Sequence, residues 1–240
     1  MSNRIYVPTQ SFKDWQRLLA KPDLHWKAGY SAMTLARSWE AADPQGFPPE
    51  VSAALATTTD PLLQGLSMLI AIPEYQVALP GGDRSSQTDL LVLARGADGL
   101  VAVAVEGKVD EAFGPTVEQK RAENSKGVNT RLHFLTESLG LKEPIPGNIR
   151  YQLLHRTVSA MLIAEQFSAK AAVMLVHSFS PTNKWFDDFA VFAALFGLHL
   201  QAGSLAAAGI RRNLPLFIGW CSGDQRFRAA SKSSEDDVLS

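Results

Sequence analysis

Two apolar runs near the middle of the chain carry charges that a sheet interior normally excludes, and they constrain the fold more than any other feature. The first is Gln87-Thr88-Asp89-Leu90-Leu91-Val92-Leu93; the second is Val101-Ala102-Val103-Ala104-Val105-Glu106-Gly107-Lys108. The intervening Gly96-Ala97-Asp98-Gly99 has the residue chemistry of a hairpin turn. With the turn centred between Ala97 and Asp98, antiparallel partners count away from it in step, which sets Asp89 directly opposite Glu106. Side chains alternate with period two along a strand, so Lys108 shares that face. Two carboxylates facing each other across a ladder repel, and burying them unpaired is costly or moves a pKa. A divalent cation between them, with an ammonium nearby, removes the objection. The bland alternative is a salt bridge on a solvated sheet face, but Leu90 to Leu93 and Val101 to Val105 are apolar on both faces, as central strands are.

Composition narrows the partners. With 240 residues, 46% of them hydrophobic, the chain can bury a full core. A net charge of -1 gives no global attraction to a polyanion, so nucleic acid would need a local basic patch. The single cysteine, Cys221, excludes an internal disulfide and a multi-cysteine zinc site. Together with the lack of a signal-peptide pattern, it fits the cytoplasm. The apolar runs Leu62 to Ile72 and Ala190 to Leu200 are too short or interrupted for a membrane span, so no membrane partner is expected.

Three regions follow from the local patterns. Residues 1–59 are expected to form a helical N-terminal extension that packs on the core or shapes a groove. Its predicted helices run from Ser11 to about Ala20, over Tyr30 to Ala42, and from Glu50 to Ala56. Residues 60–225 are the expected core. Asp60-Pro61 opens a predicted helix to about Leu69, a strand follows from Glu74 to Leu79, and then comes the hairpin. A polar helix is expected from Thr116, continuing through Leu132 to Leu139. A strong apolar face predicts a helix over Arg150 to Phe167, followed by a buried strand over Ala171 to His177. A helix over Trp185 to Phe196 and strands over Leu198 to Ala202 and Leu214 to Cys221 complete the core. Residues 226–240 read as a disordered polar tail. The order predicts an α/β fold with a mixed central sheet flanked by helices.

Asp89, sixteen residues, then Glu106-Gly107-Lys108 resembles the signature of the PD-(D/E)xK nuclease superfamily, the restriction-endonuclease-like fold. The continuation Val109-Asp110-Glu111-Ala112-Phe113-Gly114 resembles the extended EGKxDExFG form seen in some branches. Thr88 stands where the motif has proline. Many members also place a glutamate on the helix before the first core strand; here that segment offers only Gln64, and Glu74 is the nearest carboxylate. The resemblance implies a Mg²⁺- or Mn²⁺-dependent nuclease, with Asp89, Glu106 and Lys108 catalytic. Asp89, Glu106 and the Gly107 carbonyl would hold the cation. Lys108 would position a water or stabilise the transition state. Gln64, Glu74, Glu111 and Gln152 are accessory candidates. DNA is the expected substrate, and a homodimer is compatible with the family.

Other residues carry weaker signals. Lys120, Arg121 and Arg156 are candidate nucleic-acid contacts, although acids interleaved with Lys120 to Arg131 also suit a solvated helix face. His177 and the tryptophans read as packed residues. The competing functional reading is a non-catalytic nucleic-acid- or protein-binding module that keeps the nuclease fold. An unrelated α/β hydrolase or transferase ranks last, since no nucleophile elbow, P-loop or dinucleotide fingerprint is present.

Overall fold

The computed structural model describes Thr9 and residues 11–229. A 3-10 turn, Phe12–Leu18, is followed by three helices: α1 (Pro22–His25), α2 (Ser31–Ala42) and α3 (Pro49–Leu55). Three strands form an antiparallel meander: β1 (Ser67–Val77), β2 (Ser86–Gly96) and β3 (Gly99–Lys108). Helices α4 (Val117–Ala122), α5 (Lys126–Leu139) and α6 (Tyr151–Gln166) then lead to β4 (Ala171–Ser178). Helix α7 (Phe186–Ala194) precedes the last two strands, β5 (Leu205–Arg211) and β6 (Leu214–Ser222). The sheet has six strands in the order β1-β2-β3-β4-β6-β5; β3, β4 and β6 run parallel and the other neighbours are antiparallel. The chain is therefore an α/β protein with a mixed central sheet flanked by helices, as its pattern predicts.

The period-two alternation sorts the sheet into two buried faces. Leu91, Leu93, Ala102, Ala104, Met174 and Ile218 join the apolar side of α5, α6 and α7 in one cluster. Leu90, Val92, Val103, Val105, Val173 and Leu175 join Trp15, Leu35, Trp39 and Val51 of the N-terminal helices in the other. Both faces of β3 and β4 are covered, which accounts for their near-continuous apolar runs. The hairpin has the register expected from its turn: Leu90 pairs with Val105 and Gly96 with Gly99. Continued by one step, that register puts Asp89 across from Glu106, on the face covered by α6.

Several local expectations are overturned. Asp60 does cap a helical start, accepting from Leu62 N–H at 3.0 Å, but only the 3-10 turn Pro61–Leu63 forms. Gly65, at φ 60°, ends it, and β1 already begins at Ser67, because pairing along the whole of β2 offers more than a short helix would. The polar helix after Thr116 is two helices, broken where Asn124 takes φ 45° and Ser125 caps α5 through Val128 N–H at 3.1 Å. Strand β5 covers Leu205–Arg211 and not Leu198 to Ala202. The two-residue turn Arg212-Asn213, with φ 50° and 61°, folds it onto β6 as a hairpin. Residues 226–229 are ordered: Asp224 caps the 3-10 turn Gln225–Arg228, and Arg37 donates to the Phe227 and Ala229 carbonyls. The rest of the expected tail, 230–240, lies outside the described residues.

Candidate functional site

The ends of β2 and β3 bring the charged residues together on the floor of a cleft of about 490 Å³. Glu106 is 2% exposed and Lys108 5%. The Lys108 ammonium lies 2.5 Å from Glu106 Oε1 and 5.0 Å from the centre of the Phe113 ring. Helix α6 adds two more donors to the same carboxylate. Gln152 Nε2 donates to Glu106 Oε1 at 2.6 Å, and Arg156 Nε donates to Oε2 at 2.5 Å. Arg156 also reaches Asp89, with Nη2 3.8 Å from Oδ1. Asp89 is oriented from below, its Oδ2 accepting from Gly107 N–H at 2.9 Å. A Cβ at Gly107 would stand 3.2 Å from Leu35 of α2, so the motif glycine lets that helix pack against the strand end.

Glu74 joins this group from β1. It lies where the register runs from Pro73↔Leu90 to Tyr75↔Thr88, which is across from Asp89. Its backbone takes φ 55°, uncommon for a residue with a side chain. The strand changes parity there: Ile70, Ile72, Tyr75 and Val77 all pack on the α6 side. The cleft floor thus holds three carboxylates (Glu74, Asp89 and Glu106) against two cations, Lys108 and Arg156.

The electrostatics follow from that surplus. Burial alone would raise Glu106, but Arg156 and Lys108 overcome it and hold the carboxyl down at about 2. Asp89 goes the other way: burial, then the Glu106 charge, pushes it up to about 7 despite Arg156. Glu74 is also pushed well above the ordinary glutamate range, by burial and then by Asp89. For Arg156, burial is outweighed by Glu106 and Asp89, which move it above its ordinary value. One of the acids must therefore share a proton near neutral pH or face a cation. Among the described residues, no three acidic, histidine or cysteine side chains form a ready metal cage. Mg²⁺ does not require one, since it is usually held by one or two carboxylates together with waters and substrate phosphate.

A further hydrogen-bond chain runs from the floor to the wall. Arg156 Nη1 donates to Ser86 Oγ at 3.0 Å, and Ser86 Oγ lies 3.0 Å from His155 Nδ1. Burial and the Arg156 charge lower His155 to about 3, so its ring stays neutral.

The remaining sequence candidates separate clearly. Glu111 belongs to the cleft lining, where its carboxylate accepts from Ser31 N–H at 2.8 Å and Val109 N–H at 3.0 Å. Gln64 lies at the opposite end of β2, beside Gly96, and donates to the Thr58 carbonyl. Gly107 serves Asp89 through its N–H. Arg156 is a buried partner of the acids and not a surface contact for nucleic acid. Lys120 pairs with Glu123 at 2.6 Å above the Tyr151 ring, and Arg121 donates to the Ile145 carbonyl at 2.9 Å; neither lines the cleft. His177 is fully buried, bonded to Trp39 Nε1 at 3.2 Å and Glu50 Oε1 at 3.1 Å. Sequence reasoning missed Ser86, for which no local signal existed. It also missed the inward direction of Arg156, for which the spacing of four from Gln152 was a usable cue.

A family profile described as a domain of unknown function (DUF6946) matches residues 8–225. No curated protein and no solved structure matches the chain.

Proposed function

The chain belongs to this family of unknown function (DUF6946), and from the chemistry of its cleft we propose that it is a metal-dependent nuclease hydrolysing phosphodiester bonds, with DNA as the substrate. The observation that carries this reading is the convergence of Asp89, Glu106 and Lys108 at one hairpin end, on the floor of a cleft. The pattern resembles the PD-(D/E)xK signature. The surplus of buried carboxylate supports a cation there. Asp89 and Glu74 would hold it, together with the acceptor position on Glu106 Oε2 that Arg156 leaves open. Bound there, the cation would neutralise a phosphate and acidify a water.

The protein groups have definable work around that chemistry. Lys108 spends one of its three N–H donors on Glu106 and lines the cleft beside the Phe113 ring. Arg156 and Gln152 hold Glu106 in one orientation, and Gly107 does the same for Asp89. The neutral His155 ring places an uncharged polar group on the cleft wall.

The test is incubation of purified protein with labelled DNA in Mg²⁺ and in Mn²⁺. Cleavage is expected with the native chain and not with Asp89→Asn, while circular dichroism of the variant stays native. Failure of the native protein to cut DNA in either metal would overturn the proposal. A second reading, a binding module that keeps the fold, is favoured by the three donors already engaged by Glu106. It predicts no heat of Mg²⁺ binding in a calorimetric titration, whereas the nuclease reading predicts a measurable one.

A further inference from the structure

We infer that the cleft takes one unpaired nucleotide of a DNA strand at a time and does not act on the backbone of an intact duplex; this rests on the nuclease reading above. The reactive groups lie recessed on the floor of a partly open cleft, Glu106 2% and Lys108 5% exposed. One wall is built by the N-terminal helices through Leu19, Ala20, His25 and Ser31. Another is the segment Glu111 to Pro115, and a third is α6 through Tyr151 and His155. The N-terminal wall is tied down on both sides of the floor. Gln87 Nε2 donates to the Leu18 carbonyl at 3.4 Å, and Ser31 N–H donates to Glu111 Oε1 at 2.8 Å.

The cleft has the size and mixed lining of a small-ligand pocket, with apolar sides and a charged base. That arrangement suits a sugar and base against Ala20, Pro115 and Tyr151, with the phosphate directed at the floor. Phosphates of a duplex sit on the rim of a wide cylinder, and reaching the floor would require the nucleotide to leave its stack.

The cations argue the same way independently. Duplex binding draws on a row of lysines and arginines available to successive phosphates. Here Lys120 is paired with Glu123, Arg150 with Asp188, Arg212 with Glu165 and Arg228 with Asp110. Arg121 and Arg131 are spent on backbone carbonyls. Those six basic side chains are already engaged within the protein, which favours recognition in the cleft over recognition along the parts of the surface they occupy.

The experiment compares a fluorescein-labelled linear oligo(dT) with a blunt duplex of the same length. The single strand is expected to be cut about 100-fold faster, since unpairing and unstacking a base costs a few kcal/mol. Anisotropy in Ca²⁺ gives a readout apart from cleavage, and the single strand is expected to bind tighter. Ala20→Trp, at an exposed wall position, should weaken oligo(dT) binding by about tenfold through occlusion alone. Duplex cleavage as fast as single-strand cleavage, or unchanged binding by Ala20→Trp, overturns the inference and leaves the nuclease reading standing. Absence of any cleavage in Mg²⁺ and Mn²⁺ overturns both.

Discussion

Asp89 and Glu106 face each other with the same functional group, yet their neighbours drive them apart. Asp89 is raised to about 7 from an ordinary 3.8, so between those values the folded chain holds a proton that the unfolded chain has released. The stability linked to that proton is present below the ordinary value and is lost as pH rises through about 7. Asp89→Asn mimics the protonated form. The variant should therefore melt above the native chain by several degrees near pH 8 and match it only at about pH 4, close to the ordinary aspartate value. Melting curves at the two pH values check this, and an equal shift at both would contradict it. Glu106 is the opposite case, being the counter-charge for Lys108 and Arg156. Removing its charge breaks the close ion pairs of both Lys108 and Arg156, so Glu106→Gln should lose about 3–5 kcal/mol in urea denaturation. The sequence contained the acid pair and the lysine; it did not contain the arginine's direction, because α6 meets β3 only after the chain has crossed from one to the other.

At the scale of elements, α2 shows how a loop acid becomes a structural part of the site. Tyr30, the residue before the helix, makes no side-chain cap. Glu111 supplies one from eighty positions away, accepting Ser31 N–H with one oxygen and Val109 N–H with the other. A carboxylate there also meets the positive end of the helix. Glu111→Ala should cost about 1–2 kcal/mol, with Glu111→Gln recovering part of it, as read by chemical denaturation. If Glu111→Ala is as stable as the native chain, the cap is not what ties α2 to the end of β3. Local signals predicted α2, α3, α6, α7 and the β2–β3 hairpin to within a few residues, since period and turn chemistry suffice for them. They failed at the segment from Asp60 to Leu69, where a good capping residue is outweighed by a strand partner distant in sequence. They failed again at β5, whose pairing depends on the Arg212-Asn213 turn and β6.

For the whole molecule, the N-terminal helices are more than an appendage. Trp15, Leu35, Trp39, Phe47 and Val51 are buried in the same cluster as Val92, Val103, Val173 and Leu175. Without them the sheet would expose a broad aliphatic face. A chain truncated before Asp60 is thus expected to aggregate, seen as high-mass species by light scattering, whereas the intact chain melts in one cooperative step. A monodisperse, cooperatively folding truncation would show that the two parts are independent. The Glu50–His177–Trp39 chain of hydrogen bonds reinforces the junction from α3 through β4 to α2. Among the described residues no helix is long and apolar enough to cross a membrane.

The sequence by itself determined the α/β class, the hairpin register and the shared face of Asp89, Glu106 and Lys108. All three depend on short-range rules: strand alternation and the centre of a tight turn. Only the tertiary structure decided which groups complete the site. Glu74 arrives through a positive-φ residue on β1, Gln152, His155 and Arg156 through the docking of α6, and the wall through helices that precede the core. These are long-range contacts, set by which faces must be buried together, and no local pattern encodes them.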